Sequence, residues 1–335
     1  MNNNKVLVTG ATGLLGPYVI SSLIDKGYTD IHVLIRSGKL NAELQPFAKY
    51  LHVVKGDVQE LHPLSETVEK MDYVIHVAAI VSFDPRYRQE MYNINVEGTA
   101  NVVNLCLESN VKKLIHISSV AAIGRPEKQE VLSEESKWSE SKYNSYYGLT
   151  KYKAELEVWR GYTEGLPMAI INPSIILGRG DYKRSSLKMI KLIQRGLSHY
   201  PTGTVGVVDV RDVADMSTNL LESDISGERY IATSASISYK DLFTQIAEYL
   251  HVKPPARKMT PWVSAVLWRL EKVRALLLGS SPIVTKETML SAAYPAKYDT
   301  SKSRTLAGFA YRPVDESIRW ACEGLLQAES GANES

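Results

Sequence analysis

The sequence predicts an α/β fold: a doubly wound parallel sheet with helices on both faces, followed by a smaller, partly interleaved C-terminal unit. Three observations predict it. Short apolar runs rich in β-branched residues alternate with amphipathic stretches, which is how a parallel sheet covered by helices is encoded. The first of these runs passes through a glycine-rich turn directly into a helical pattern. Beyond residue 175 the alternation loosens and the chain reads as mainly helical.

The expected strands are 6–8, 31–35, 51–54, 73–77, 114–117 and 168–171. All are apolar on both faces, as strands buried between two helical layers should be. The clearest helices are 14–26, 95–109 and 147–162. Further on, Gly178-Arg-Gly180-Asp181 reads as a turn, 185–196 as a helix and 205–210 as a strand, with a helix from Arg211. Residues 230–232 read as a short strand returning to the main sheet. Pro254, Pro255, Pro261, Pro282 and Pro295 punctuate the C-terminal part. The expected division is therefore 1–175 for the first domain, joined by a returning segment within 205–235. Residues 176–327 would form mainly a substrate domain and 328–335 a disordered tail.

Totals narrow the class. The 335 residues are 44% hydrophobic, enough for one large or two smaller cores. With 39 Lys plus Arg against 37 Asp plus Glu the net charge is +2, so no nucleic-acid partner is expected. Cys106 and Cys322 lack metal-site spacing, so no metal and a reducing compartment are expected. The chain enters its first strand almost at once and has no apolar run long enough to cross a bilayer. A cytoplasmic protein without stable membrane insertion is expected.

The turn Thr9-Gly10-Ala-Thr12-Gly13-Leu14-Leu15-Gly16-Pro17 would hold a dinucleotide pyrophosphate. Gly10 takes a backbone shape closed to other residues, Gly13 lets a phosphate approach the main chain, and Gly16 permits close packing. Free N–H groups at the following helix start then bind the anion. Pro17 suits the first helical turn. Arg36, ending the second strand, meets the adenosine ribose in such a fold; Arg favours a 2′-phosphate where an acidic residue would repel it. NADP(H) is therefore expected over NAD(H), the competing reading being a solvated Arg. Asp57 would accept from adenine or cap its loop. His76 reads as a packed core histidine before Val77-Ala78-Ala79. Tyr147 and Lys151 share a helix face at i, i+4, where the ammonium would favour the phenolate and lower the phenol pKa. A phenol so tuned exchanges a proton with a substrate oxygen while a hydride moves. Tyr249…Lys253 and Tyr298…Lys302 have the same spacing, but only Tyr147 follows a strand ending in two hydroxyls, Ser118-Ser119. One of these would bond the reacting oxygen.

Taken together, these motifs resemble the extended short-chain dehydrogenase/reductase superfamily (the NAD-dependent epimerase/dehydratase family), whose fold is Rossmann-type. Asn95-Val-Glu-Gly98-Thr99, Asn172-Pro173-Ser174 and Val208-Asp-Val-Arg-Asp-Val213 extend the resemblance from Val6 to about Trp320. It is nearest to dihydroflavonol-reductase-like and 3β-hydroxysteroid-dehydrogenase-like members, with a further likeness to hopanoid-associated sugar epimerases. The resemblance implies Tyr147 as acid/base, Lys151 on the nicotinamide ribose, Ser119 as the catalytic hydroxyl and Asn95 in support. It also implies cofactor contacts from Gly10, Thr12, Gly13, Leu14, Leu15, Arg36, Asp57, Val58, Val77, Ala78, Ala79, Pro173 and Ile176. Apart from the resemblance, Ile80-Val81-Ser82-Phe83 follows the cofactor-facing loop, where Val81 and Phe83 would line an apolar substrate pocket, ordinary packing being the equal alternative. Two departures count against nucleotide-sugar enzymes. Ser119-Val120-Ala121 lacks the Asp-Glu pair of sugar dehydratases, and Val205 replaces the diphosphate-binding Arg of many epimerases, leaving Arg179 as a substitute.

The leading expectation is an NADP(H)-dependent reductase or dehydrogenase of a carbonyl or secondary alcohol. A sugar epimerase that retains NAD(H) is the alternative, and a non-catalytic dinucleotide sensor a second. A small-molecule substrate is the expected partner, with a homodimer left open. Trp262, Val266, Leu270, Val273 and Leu277 give 261–278 one apolar helical face. Core packing in the smaller domain is the expectation for it; a cap over the substrate cleft and an interfacial membrane helix are the alternatives.

Overall fold

The computed structural model describes residues 2–128, 131–183 and 186–333. Seven strands form the main sheet: β1 (Val6–Thr9), β2 (Ile31–Ile35), β3 (Leu51–Lys55), β4 (Tyr73–His76), β5 (Lys113–Ile117), β6 (Met168–Pro173) and β7 (Glu228–Ala232). Their order is β7-β6-β5-β4-β1-β2-β3, and every neighbouring pair is parallel. The register sets Val8 between Val33 of β2 and Ile75 of β4. The order reverses beside β1, which opens a crevice at the carboxyl ends of β1 and β4. The six expected strands and the expected return at 230–232 are all present.

Strand periodicity sorts the core into two layers. Val6 and Val8 face the helices Gly16–Asp25 and Val210–Glu222, where Val19, Ile20, Leu23, Val213 and Leu220 are buried. Leu7 faces the opposite layer with Val74, Leu114 and Ile170, covered by the helices Gly98–Glu108 and Tyr146–Thr163. Each such aliphatic side chain, wholly removed from water, contributes about 1.5–3 kcal/mol.

β3 departs from the expected two-sided burial: it is the edge strand, and His52 and Val53 are exposed. The expected helix at 95–109 begins instead as a π-turn, Asn93–Glu97, before the α-helix Gly98–Glu108. The wider turn sets Asn95 inward, and π-turns of this kind accompany functional positions.

The remaining chain builds a second layer. Thr204–Asp209 pairs in parallel with Ile175–Leu177 and antiparallel with Ala235–Ser238. The helix expected at 185–196 is Leu187–Gln194, and position 185 lies outside the described residues. Its Leu187, Ile190 and Ile193 pack with Leu242, Phe243 and Ile246 and with Ile318, Ala321 and Leu325 of the last helix. Lys297–Tyr298 pairs with Val131–Leu132, so the C-terminal part is stitched to the loop that follows β5.

Two expectations are corrected. The last helix runs Val314–Asn333, so 328–333, expected to be disordered, is helical, and 334–335 lie outside the described residues. Extending a nucleated helix costs little, and Glu329 is held by Gln194 Nε2 at 2.6 Å and Lys191 Nζ at 3.6 Å. The helix Pro261–Leu277 is not packed into a core: Ala275 is its one buried residue, and Trp262 is 75% exposed. The apolar face exists as the spacing predicts but is turned outward, because the helix packs through its opposite side on Lys286–Ala293. Among the described residues no helix is long and apolar enough to cross a membrane. Both cysteines are buried and free.

Candidate active site

Six strand ends and their following loops contribute the candidate residues. The turn after β1 has the geometry its glycines predict. Gly10 has φ +69°, and a Cβ there would lie 2.6 Å from Ala78 N. A Cβ on Gly16 would meet Ala11 O at 2.2 Å, so the turn closes on itself without space for a side chain. Gly13 is exposed, and a Cβ would find only Gly10 O, at 3.3 Å. Thr12 is also exposed. An open, side-chain-free cradle at a helix N-terminus fits a pyrophosphate. Leu15 is buried, and Leu14 leans on the Gly178–Gly180 turn.

The crevice floor is held by His76. Thr9 Oγ1 accepts from Val77 N and Ala78 N, each at 3.2 Å, and bonds His76 Nδ1 at 2.7 Å. His76 Nε2 reaches Thr99 Oγ1 at 3.0 Å. Burial pushes His76 down to about 3, so the ring is neutral and structural, as its apolar setting predicts. Just after β2 Arg36 is 72% exposed, with Nε 3.8 Å from Asp57 Oδ2. Asp57 Oδ1 also accepts from Gln59 N at 3.1 Å, so it caps its own loop. The Val58 side chain is packed against Gly98 rather than toward the crevice.

The catalytic candidates gather at the ends of β5 and β6. The Ser145 side chain caps the helix Tyr146–Thr163 by accepting from Gly148 N at 3.0 Å. Tyr147 is half-buried, and Phe83 approaches it edge-on with ring centroids 6.2 Å apart. Val81 lies exposed two residues earlier. The two serines are told apart by their partners. Ser118 Oγ donates to the buried Glu155 at 2.6 Å. Ser119 lies close enough to the Tyr147 phenol to lower its pKa, and caps its own turn by accepting from Ala121 N at 3.1 Å. Ser119 is thus the hydroxyl facing Tyr147.

Lys151 differs from its expected effect. Its ammonium is buried and donates to Ile117 O at 2.8 Å, with His116 Nε2 at 3.5 Å. Burial lowers its pKa to about 8, Glu155 acting in the other direction. The Tyr147 phenol is not lowered by Lys151: burial raises it to about 12, with Ser119 acting in the other direction. Desolvation dominates because the ammonium is directed at a backbone carbonyl. Asn95 is a positioning residue. It holds Ile80 at both ends, accepting from its N at 2.7 Å and donating to its O at 2.9 Å, and donates to Thr150 Oγ1 at 3.0 Å. The loop carrying Val81 and Phe83 is thereby fastened to the Tyr147 helix. Pro173 is buried at the end of β6, and Ile176 is half-buried in the following strand.

Sequence reasoning missed three features. Glu155 binds Ser118, Asn172 and Arg229 Nη1, the last at 3.3 Å, and so ties β5, β6 and β7 together. Arg125, one turn beyond Ser119, has a buried Nε with no hydrogen-bond partner among the described residues. Its charge reaches the half-buried phenols of Tyr239 and Tyr298. A signal existed, an arginine shortly after the hydroxyl pair, but nothing local tells it from a surface arginine. Third, Asp30, His32 and His52 place one ligand atom each within 4.8 Å at the opposite end of the sheet, remote from the crevice. Arg179 is corrected as a diphosphate ligand. Its guanidinium donates to Trp320 O at 2.9 Å, Gln327 Oε1 at 3.2 Å and Glu323 Oε2 at 3.1 Å. The other Tyr–Lys spacings form no comparable pair: Tyr249 Oη donates to Asp315 and Lys302 pairs with Glu228, each at 2.6 Å.

Comparison with known proteins agrees with this fold. A profile of the NAD dependent epimerase/dehydratase family matches residues 6–232. Tetraketide alpha-pyrone reductase 2 of Arabidopsis thaliana is 30% identical over 259 residues, covering 71% of this chain and 80% of the relative. Cinnamoyl-CoA reductase 1 of Petunia hybrida is 26% identical over 303 residues, covering 84% and 90%. Among solved structures, that of gox2253 superposes with a TM-score of 0.83 at 31% identity, covering 97% of this chain and 99% of the other.

Proposed function

The chain belongs to the NAD-dependent epimerase/dehydratase family, and from that premise we infer that it is an NADP(H)-dependent reductase of a carbonyl substrate. The observation that carries this reading is the set of three groups beside the crevice: the Tyr147 phenol, the Ser119 hydroxyl near it and the Phe83 ring edge-on to it. Tyr147 would give its proton to the substrate oxygen as that oxygen gains charge, while Ser119 donates a hydrogen bond to the same atom. When bound, the reduced nicotinamide supplies the hydride. With the phenol held near 12, Tyr147 is protonated at neutral pH, the form that carbonyl reduction requires. Lys151 lies one helical turn on, and its ammonium would turn from Ile117 O to a nicotinamide ribose when the cofactor binds.

Three supports favour reduction over sugar epimerisation. The relatives above carry reductase names. Arg179 is committed to the C-terminal helix, and Val205 offers no charge to a diphosphate. Arg36 stands exposed beside Ser37 and Lys39 at the adenosine end, where a 2′-phosphate would be bound. Arg125, whose buried Nε has no hydrogen-bond partner among the described residues, would anchor an oxygen function of the substrate distal to its carbonyl.

The test is net cofactor turnover. Incubation with NADPH and a panel of aryl and alkyl ketones and aldehydes should consume reduced nicotinamide in stoichiometric amount. An epimerase regenerates its cofactor, so configurational change in a nucleotide sugar with constant nicotinamide absorbance would overturn the reading.

A further inference from the structure

The helix Pro261–Leu277 presents an apolar strip to solvent that the reaction does not use. Trp262, Val266, Leu270, Val273 and Leu277 follow one another at spacings of three and four, so they share one face. On that face Trp262 is 75%, Leu270 63% and Leu277 78% exposed. Leu276, Leu278 and Ile283 continue the patch at its C-terminal end. Uncovered apolar surface of this extent marks an interaction site.

The surrounding charge identifies what covers it. Residues 257–286 carry Arg257, Lys258, Arg269, Lys272, Arg274 and Lys286 against a single acidic residue, Glu271, in a chain whose net charge is +2. Glu271 is drawn inward, where it pairs with Arg274 at 2.6 Å and accepts from Ile283 N at 2.6 Å. Arg257, Lys258, Arg269 and Lys272 are exposed. A tryptophan and leucines on one face with basic residues at its borders is the pattern of a helix lying in the headgroup layer of an anionic membrane. Two-fold pairing with a second copy would instead set this basic rim against itself.

The strip is also rigidly placed. Arg86 Nη2 donates to Ser280 O at 2.8 Å while its guanidinium pairs with Asp84 at 2.7 Å, immediately after Phe83. Glu287 of the next helix accepts from Tyr146 N at 3.0 Å and pairs with Arg88. The exposed apolar groups Val81 and Tyr87 lie on the loop so fastened. We propose that the helix Pro261–Leu277 docks this protein on anionic lipid surfaces, apolar strip inward and basic rim on the headgroups, with the mouth of the crevice beside the bilayer. The docking stands independently of the proposed reaction.

The test is co-sedimentation of the full chain with vesicles of phosphatidylcholine alone and of phosphatidylcholine mixed with phosphatidylglycerol. Wild type is expected to pellet with the mixed vesicles, to be released by high salt, and to remain largely in solution with the neutral ones. Leu270→Glu combined with Leu277→Glu should weaken binding at least about tenfold, and Arg269→Glu with Lys272→Glu should do the same through charge. Both pairs are exposed, so melting temperature and NADPH affinity of the free protein should not move. Wild type that stays in solution with both vesicles overturns the proposal. So does a dimer, seen by sedimentation velocity, that the Leu270 and Leu277 changes dissociate.

Discussion

Replacing Gly10 and Gly13 separately by alanine distinguishes a folding role from a binding role within one turn. At Gly10 the methyl group must adopt φ +69° and sits 2.6 Å from Ala78 N, between β1 and β4. The left-handed conformation costs about 1–2 kcal/mol, and forcing backbone apart in a packed region costs about 1–3 kcal/mol more. Gly10→Ala should therefore lose about 2–5 kcal/mol of stability. For a chain of 335 residues each kcal/mol lowers the melting temperature by roughly 1–2 °C. At Gly13 the methyl meets only Gly10 O, at 3.3 Å, and otherwise enters the open cradle. The cofactor-free protein should melt within about 1 kcal/mol of wild type. NADPH affinity should instead fall, because the methyl occupies the place of a phosphate oxygen. Losing one charge-assisted hydrogen bond, about 1.5–3 kcal/mol, is roughly a ten- to hundredfold loss of affinity. Scanning calorimetry without cofactor and fluorescence titration with NADPH measure the two effects. Wild-type affinity in Gly13→Ala would refute the cradle, and an unchanged melting temperature in Gly10→Ala would refute the packing argument.

Tyr147→Phe should reduce turnover at least about a hundredfold with cofactor affinity nearly kept, and steady-state kinetics showing near-normal turnover would remove the phenol from the reaction. Arg36→Asp should shift preference from NADPH toward NADH, since repulsion replaces a charge-assisted bond; equal NADPH affinity in both proteins would place Arg36 in solvent. Lys151 titrates near 8 when folded against 10.5 ordinarily, so between those pH values the unfolded chain binds more protons and wild type gains stability as pH rises. Relative to wild type, Lys151→Met should thus be most favourable in melting temperature at neutral pH and lose that advantage toward pH 10.5, and a pH-independent difference would contradict the buried ammonium. Glu155→Ala leaves Arg229 without its buried partner and should cost about 3–5 kcal/mol, read from denaturant unfolding.

Much of the fold was legible because it is written in local periodicity. The runs at 31–35 and 168–171 are apolar on both faces and became interior strands. The run at 51–54 looks the same in sequence but took the sheet edge, since strand order is a long-range outcome. Tyr147 and Lys151 were readable as a pair at i, i+4, whereas the direction of the Tyr147 pKa was not. That direction depends on where the Lys151 ammonium points, and it points at Ile117 O, a strand away in sequence. The apolar stripe at 262–277 was correct in its spacing and wrong in its expected burial. Periodicity says which residues share a face; it does not say whether that face meets protein or water.

The sequence by itself therefore determined the parallel α/β alternation, the glycine turn after β1 and the Tyr147–Lys151 helix face, because each depends on residues within one or two turns of one another. Only the tertiary structure decided that Ser118 serves Glu155, that Asn95 fastens the loop at Ile80, that Arg179 is spent on Trp320 and Glu323, and that Trp262 faces outward. The physical reason is the same in each case: a hydrogen bond or a buried face needs a partner, and these partners lie up to 144 positions away along the chain.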